Sequence, residues 1–311
     1  GTNTDCVILH PGEADKPNRG IRSSFKTPTT RNVTEGIVKA IDGAVAKGNI
    51  NREAISAVMI GTTHFINAVV QADDVNLRKV AVFRICGPYT QENPAFLDFP
   101  PILARIMKGH VAYLDGGLEF DTREIMPVNE DQVRNECQIV KRKGLRDIAV
   151  VGVFSPLDVD GTQEARIRKI ILEEIPDADV VLSSEGKSIA EICELKTKTR
   201  LVGQLGYLER ENATILNTSI LKFARKTIQG FKQAVKSLGL SCPLFLTQND
   251  GTIIDAVTAQ KCPIRTFSSG PTNSMVGAAY LSGMDISSGN LPNSQVIVAD
   301  VGGTTTDVCA L

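Results

Sequence analysis

The two ends of the chain carry the same short polar motif, a glycine followed by hydroxyl side chains and an aspartate. Residues 1–5 read G-T-N-T-D, residues 303–307 read G-T-T-T-D, and an apolar stretch follows each copy. Glycine lets the backbone approach an anion closely, and successive N–H groups in a tight turn form an anion-binding concavity. Threonine hydroxyls add further donors. The repeat therefore predicts two hairpins that bind phosphate groups.

The second copy has an additional acid in front of its turn. Residues 296–300 form a strand-like run that ends in Asp300. A carboxylate at a strand end can hold Mg²⁺ through water, so Asp300 is the candidate metal ligand. Two such hairpins facing each other would clamp the β- and γ-phosphates of ATP, with Asp5, Asp300 and Asp307 as candidate catalytic carboxylates. The residues predicted to hold the phosphates are Gly1, Thr2, Thr4, Gly302, Gly303, Thr304, Thr305 and Thr306. Two unrelated polar turns are the alternative, which the match between the copies disfavours.

Further polar residues stand where apolar runs end. Residues 61–63 (G-T-T) follow the apolar residues 56–60 and open a predicted helix, whose free N–H groups and dipole favour an anion. Residues 269–271 (S-G-P) stand at a similar junction, and Asn249 follows the apolar run 244–247. A threonine-capped helix start, simple helix initiation and a hairpin turn would explain these residues without a ligand.

The hydrophobic pattern predicts the elements that position these motifs. Strand-like and helix-like stretches alternate, which indicates a mostly parallel sheet covered by helices. The strands are expected at 6–10, 56–60, 79–85, 148–154, 180–183, 244–247 and 295–300. The helices are expected at 32–47, 63–71, 130–143, 162–174 and 271–281, with further long helices within 188–238. Residues 87–117 contain four prolines and are interpreted as an irregular functional loop or an interface.

Composition bounds the class of protein. The chain has 311 residues, 42% hydrophobic and 22% charged, with a formal net charge of -1. This balance offers no charge surplus for nucleic acid or an anionic membrane, and no apolar run reaches the ~18 residues of a membrane helix. Seven cysteines without C-x-x-C spacing predict reduced thiols and a cytoplasmic location. Three scattered histidines without H-E-x-x-H disfavour a zinc hydrolase.

Taken in order, the motifs resemble those of the hydantoinase A/5-oxoprolinase family. The matching stretches are G-T-T at 61–63 with N-A at 67–68, E-R-E-N-A-T-I-L-N at 209–217, T-Q-N-D-G at 247–251, R-T-F-S-S-G-P at 265–271 and D-V-G-G-T-T-T-D at 300–307. The ordered set covers essentially the whole chain and is far more specific than any one motif.

The resemblance implies a fold. It implies an α/β chain of actin-like ATPase (ribonuclease H-like) architecture, with mixed sheets flanked by helices, that is a fragment of a larger protein. The implied domains are an N-terminal α/β domain at 1–187, a helical and α/β continuation at 188–294, and the first strands of a second, truncated lobe at 295–311. We expect such a segment alone to bind ATP weakly and to turn over nothing.

The resemblance also implies an activity, the ATP-dependent opening of a cyclic amide such as 5-oxoproline or hydantoin. ATP and Mg²⁺ are the expected cofactors. The expected partners are the small-molecule amide and a second hydantoinase-type subunit or fused domain; homo-oligomerisation stays open, and nucleic acid and membrane are not expected. The residues expected to orient the substrate are Gly61, Thr62, Thr63, Asn67, Asn249, Ser269 and Gly270.

Several positions depart from the family's pattern. Ile60 stands where the family has histidine, with His64 four residues later, and Ile66 stands where it often has threonine. Asn273 and Ser274 replace small residues after the G-P pair. These positions lie in the predicted substrate or phosphate region, so they predict a subfamily with a different substrate.

Three other functions fit parts of the pattern. One is the ATPase subunit of a ketone carboxylase, in which ATP activates bicarbonate or an enolate. Another is a non-catalytic nucleotide-binding module that regulates a partner through ATP-driven closure. A sugar kinase-like phosphotransferase is disfavoured because no catalytic aspartate stands in a sugar-kinase context.

Overall fold

A computed structural model of the chain describes residues 3–30, 33–158, 160–184, 206–284, 296–301 and 306–310. The strands in this part are β1 (Asn3–Leu9), β2 (Ile21–Pro28), β3 (Val58–Ile60), β4 (Val80–Ile85), β5 (Lys108–Leu114), β6 (Asp147–Gly152), β7 (Asp179–Leu182), β8 (Leu244–Thr247), β9 (Ile253–Asp255), β10 (Ile297–Val301) and β11 (Thr306–Ala310). The helices are α1 (Val33–Gly48), α2 (His64–Val70), α3 (Pro101–Met107), α4 (Glu130–Arg142), α5 (Glu164–Glu174), α6 (Tyr207–Ser237), α7 (Ala256–Ala259) and α8 (Ser269–Ser282).

The chain divides into two compact units that are discontinuous in sequence. One, here called the hairpin unit, comprises Gly1–Ile66, Ala224–Lys261 and Thr266–Leu311. The other, here called the parallel-sheet unit, comprises Asn67–Phe223 and Cys262–Arg265. The three domains predicted from the sequence, at 1–187, 188–294 and 295–311, remain a prediction.

The parallel-sheet unit is built on a four-stranded sheet in the order β5-β4-β6-β7, and each neighbouring pair in it is parallel. Every residue of β4 and β6 is buried, as the continuous apolar run of β4 predicts for a strand covered on both faces. Helices α4 and α5 supply Val133, Val140, Ile167 and Ile171 to the same core. This unit confirms the predicted parallel α/β framework.

The hairpin unit contains three small sheets. Strands β1 and β2 form one antiparallel hairpin, β10 and β11 form another, and β3, β8 and β9 form a third sheet in which β3 and β8 are parallel. Helix α1 lies tightly against the first hairpin, because a Cβ added at Gly43 would stand 2.5 Å from the ring of Phe25. Glycine at this position therefore allows the close approach of the helix.

Most predicted elements are confirmed, with boundaries shifted by a few residues. The prediction of an irregular stretch at 87–117 is wrong for α3 and β5, which lie inside it. Strand β5 is hard to predict because its sequence K-G-H-V-A-Y-L lacks a clean alternation. Strand β2 is hard to predict because Ile21 and Phe25 are its only large apolar residues. The helical stretch predicted at 188–238 is a single helix, α6, over its described part, and residues 188–205 lie outside the described residues.

Two smaller expectations concern helices and cysteines. None of the described helices is long and apolar enough to cross a membrane. The six described cysteines are free thiols, and burial raises the pKa of Cys6, Cys86 and Cys137. Cys193 lies outside the described residues.

Candidate functional site

The second hairpin brings two predicted carboxylates face to face. Asp300 of β10 and Asp307 of β11 are direct cross-strand partners. Directly opposed residues of an antiparallel pair share one face of the sheet. This face meets helix α8, because Ser274 Oγ donates a hydrogen bond of 2.6 Å to Asp300 Oδ2 and Cys309 Sγ lies 3.8 Å from the carbonyl oxygen of Pro271. The hairpin thus holds both carboxylates on the side of α8.

The first two turns of α8 also meet the end of strand β8. Asn273 Nδ2 donates to Thr247 Oγ1 at 2.9 Å, and Thr272 Oγ1 donates to the carbonyl oxygen of Asn249 at 2.9 Å. Asn249 is therefore engaged here through its backbone, at the turn between β8 and β9. Asn273, one of the departures from the family's pattern, is a central contact of this junction.

The loop that follows strand β3 reaches the same helix. A Cβ added at Gly61 would lie 2.5 Å from Asn273 Nδ2 and 3.2 Å from Thr247 Oγ1. A Cβ added at Gly270 would lie 3.4 Å from Thr63 Cγ2. The structure thus brings Gly61, Thr63 and Gly270 together, and Gly61 has no room for a side chain unless Asn273 moves.

Two neighbouring residues of this loop have structural partners. Thr62 Oγ1 accepts a hydrogen bond of 3.2 Å from the backbone N–H of His64, so Thr62 caps the start of α2. Burial lowers the pKa of His64, which keeps its imidazole neutral near neutral pH. Asn67, in the same helix, falls within the parallel-sheet unit.

Ser269 has a different status. It is the first residue of α8, it is 0% exposed, and its Oγ has no hydrogen-bond partner within the described ranges. The residue before it, Ser268, adopts a left-handed conformation with φ 56° and makes no side-chain cap. Ser269 therefore leaves a buried hydroxyl unpaired at the start of the helix.

The first hairpin presents its motif differently. Asp5 is an exposed residue directly opposite Lys26, whose Nζ lies 3.5 Å from Asp5 Oδ1. Thr4 faces α1, since its Oγ1 lies 3.2 Å from the position of a Cβ added at Gly36 and 3.2 Å from Thr29 Oγ1. Asp5 is thus compensated by a lysine and points away from the helix that Thr4 contacts.

Part of the predicted phosphate site is not described. The predicted residues outside the described ranges are Gly1, Thr2, Gly302, Gly303, Thr304 and Thr305. Thr306 is described and exposed at the start of β11. The role of all these residues in phosphate binding remains a prediction.

Sequence reasoning missed a buried ion pair in the parallel-sheet unit. Arg84 and Glu211 are 0% and 1% exposed, and Arg84 Nε and Nη2 donate to the two carboxylate oxygens at 2.7 and 2.5 Å. Arg84 Nη1 also donates to the carbonyl oxygens of Thr90 and Asn93, which fixes the loop after β4. An arginine inside a run as apolar as V-A-V-F-R-I was the available signal.

A second buried acid closes the carboxyl edge of the parallel sheet. Glu164 is 1% exposed and accepts hydrogen bonds from Gly152 N at 2.8 Å, Ser155 Oγ at 2.6 Å, Ser183 Oγ at 2.5 Å and Ser184 N at 2.9 Å. This edge is where open α/β sheets commonly bind ligands. Here the chain's own donors occupy the carboxylate, so Glu164 serves the fold.

Comparison with known proteins extends these observations. Residues 1–175 match the hydantoinase/oxoprolinase N-terminal region, and residues 210–311 match hydantoinase/oxoprolinase. A search of curated proteins found no match.

Two solved structures share the fold. The nucleotide-free structure of acetone carboxylase aligns with a TM-score of 0.68 at 19% identity over 99% of this chain and 42% of its own. The ATP-dependent caprolactamase from Pseudomonas jessenii aligns with a TM-score of 0.69 at 17% identity over 100% of this chain and 42% of its own. The chain therefore spans less than half of each, and it shares the mixed α/β fold of these two structures, as predicted. Since the two family matches together cover most of its length, the chain belongs to the hydantoinase/oxoprolinase family.

Proposed function

We propose that the protein opens a cyclic amide ring, of the 5-oxoproline or hydantoin kind, in a reaction coupled to ATP hydrolysis. The observation that carries this proposal is the facing pair Asp300 and Asp307 on a hairpin that contacts α8. The first turns of that helix contact Thr247 and Asn249 and lie beside Gly61. The two carboxylates of the predicted phosphate-binding motif and the proposed substrate residues are therefore on elements that adjoin one helix. Because the chain spans 42% of each similar structure, the activity is proposed for the complete protein.

The reaction needs ATP because an amide is a poor electrophile with a poor leaving group. In the proposed sequence the amide carbonyl oxygen attacks the γ-phosphorus and ADP leaves, which gives an imidate phosphate. A first water attacks the activated carbon and the carbon–nitrogen bond of the ring opens, which gives an amine and an acyl phosphate. A second water hydrolyses the acyl phosphate to a carboxylate and inorganic phosphate. The role of the chain is to position the reactants and to stabilise charge on the transferred phosphoryl group.

The proposed phosphate ligands come from both hairpins. Gly1, Thr2 and Thr4 would line one side, and the residues from Gly302 to Thr306 would line the other. Their N–H and hydroxyl groups are the donors that a phosphate requires. We propose that Gly61, Thr63, Asn249 and Gly270 orient the cyclic amide, with Asn67 contributing from α2. Thr62 would act through its cap on α2.

Asp300 and Asp307 also suit a magnesium ion. Two like charges directly opposite on a sheet repel each other, and a divalent cation would offset that repulsion. Mg²⁺ typically uses one or two carboxylates and completes its shell with water and substrate phosphates. Within the described ranges no group of three or more His, Cys, Asp or Glu side chains is placed to hold a metal ion. When bound, Mg²⁺ would neutralise charge on the phosphates.

The test is a substrate screen with the complete protein and any second hydantoinase-type subunit it requires. ADP release is measured with 5-oxoproline, hydantoin and larger lactams, each with and without bicarbonate. We expect hydrolysis that depends on a cyclic amide and is independent of bicarbonate. Turnover that needs both a ketone and bicarbonate would support the carboxylase alternative. Tight ATP binding with no amide-dependent turnover would contradict the proposal and support a regulatory module.

A further inference from the structure

The start of helix α8 carries a buried donor that the fold does not use. Ser269 is fully buried, and its Oγ finds no partner in the part of the chain that the structure describes. Buried hydroxyls in native proteins are nearly always paired, and an unpaired one calls for a bound water, ion or ligand. Ser269 is thus an open hydrogen-bonding position.

The side chain of Ser269 is directed toward the end of the helix where anions bind. Every Cα–Cβ bond in an α-helix tilts toward the N-terminus, so the side chain of the first residue is directed toward that end. The first N–H groups of a helix have no acceptor inside it, and their dipoles favour negative charge. Helix α8 has 14 residues, and Ser268 provides no side-chain cap. The hydroxyl and the helix terminus therefore favour the same kind of ligand.

The surroundings of this turn indicate which anion it would take. The β10–β11 hairpin lies against it through the contact between Cys309 Sγ and the carbonyl oxygen of Pro271, 3.8 Å apart. One turn further along, Ser274 holds Asp300. Gly270 leaves the turn without a side chain beside Thr63. The terminus thus adjoins a strand of the hairpin whose turn is assigned to the phosphates of ATP.

We propose that the first turn of α8 is an oxyanion subsite for phosphate, with Ser269 Oγ as a donor to one of its oxygens. For the identity of the anion this inference rests on the proposed function, in which a phosphoryl group is transferred and then released. Because the β10–β11 hairpin lies beside this first helical turn, phosphate is favoured over a carboxylate of the substrate. A bound water alone would satisfy the Ser269 hydroxyl, but the binding of phosphate would then not depend on that hydroxyl.

The test measures the binding of inorganic phosphate to the whole chain by calorimetry and by the shift in unfolding temperature. Ser269→Ala is compared with Ser282→Ala, a serine at the other end of α8 whose Oγ bonds the carbonyl oxygen of Ala279. We expect wild type and Ser282→Ala to bind phosphate equally and Ser269→Ala to bind at least about tenfold more weakly. Without phosphate, Ser269→Ala should unfold at the same or a higher temperature, since it removes an unpaired buried group.

Ser269→Thr retains the hydroxyl and should keep phosphate binding, which separates the donor from a general disturbance of the helix. A second arm measures the binding of 5-oxoproline and of 2-pyrrolidinone, the same ring without the carboxylate, to wild type and to Ser269→Ala. Equal phosphate affinity in wild type and Ser269→Ala, or no phosphate binding by wild type, would overturn the inference. The inference would also be overturned if Ser269→Ala weakened the binding of 5-oxoproline but not the binding of phosphate. Serine-dependent phosphate binding in a protein without amide-dependent ATP hydrolysis would uphold the subsite and overturn only the proposed function.

Discussion

The two hairpins share the motif G-T-x-T-D but turn opposite sides of it toward their neighbouring helices. In the first hairpin Thr4 faces α1, while Asp5 is exposed and lies opposite Lys26. In the second, Thr306 is exposed, while Asp307 lies opposite Asp300 on the side of α8. The shared motif therefore presents a threonine to the neighbouring helix in one hairpin and a carboxylate in the other.

The difference follows from the period of a β-strand. Side chains alternate between faces, so a shift of one residue in how a strand packs exchanges its two sets of side chains. Residues that match in sequence between the two copies therefore do not face the same way in the two hairpins. One hairpin carries an acid beside a lysine on its outer face, and the other carries two acids beside a helix, with no ion pair to either one among the described residues. The second hairpin is the better candidate for magnesium.

The largest expected effect comes from removing Asp300. Asp300→Asn keeps the size of the side chain but removes a charge from the facing pair. We expect kcat for amide-dependent ATP hydrolysis by the complete protein to fall about 100-fold, the scale of losing one transition-state stabilising group. Asp5→Asn is the matched control in the first hairpin, and its loss should be clearly smaller. Equal losses in the two variants would show that the hairpins are equivalent after all.

The second-largest expected effect concerns how tightly each hairpin packs against its neighbouring helix. Gly43→Ala inserts a Cβ 2.5 Å from the ring of Phe25, so it should lower the free energy of unfolding by about 2 kcal/mol. Gly277→Ala on α8 is the control, because a Cβ there meets nothing within 4 Å. Its better helix propensity should stabilise by about 0.5–1 kcal/mol. Urea unfolding measures both, and a stabilised Gly43→Ala would disprove the tight contact between α1 and the first hairpin.

The next prediction concerns Mg²⁺, which we expect to bind the two acids of the second hairpin. Asp307→Asn leaves Asp300 in place and should raise the Mg²⁺ concentration needed for half-maximal ATP hydrolysis about tenfold. The measurement is a Mg²⁺ titration at saturating ATP, with the first-hairpin variant Asp5→Asn as reference. If the reference shows the larger shift, the metal belongs to the first hairpin.

The smallest expected effect concerns the lysine of the first hairpin. Lys26 and Asp5 form an exposed pair, so Lys26→Met should change the free energy of unfolding by at most about 1 kcal/mol. Any difference should shrink as salt is raised, since the Debye length falls to about 3 Å at 1 M. Urea unfolding at low and high salt, with the double variant Lys26→Met/Asp5→Asn, measures the coupling. A large, salt-independent loss would mean that the pair is not the exposed contact described here.

The sequence was most informative where structure depends on near neighbours. The apolar run of β4, the periodicity of α4 and the polar junction at residues 61–63 all predicted elements that the structure contains. It was least informative where partners are distant in the chain. Arg84 and Glu211 are 127 residues apart, and although the arginine stands out in its apolar run, nothing near it identifies Glu211 as its partner.

The candidate site shows the same division. Glycine, threonine and aspartate at the two hairpins and at 61–63 are fixed by the sequence, because their chemistry belongs to the residues themselves. The importance of Asn273 was visible only as a departure from the family's pattern. Its contact with Thr247 and its closeness to Gly61 depend on how α8 packs against β3 and β8.

By itself, the sequence determined the repeated motif, the parallel α/β framework and the family. These follow from side-chain chemistry and from periodicities that local backbone geometry imposes. Tertiary packing sets the pairing of Asp307 with Asp300 and of Asp5 with Lys26. It also buries the Ser269 hydroxyl, for which the described residues supply no hydrogen-bond partner. The physical reason is that register, facing and burial arise from contacts between segments far apart in the chain, which no local pattern records.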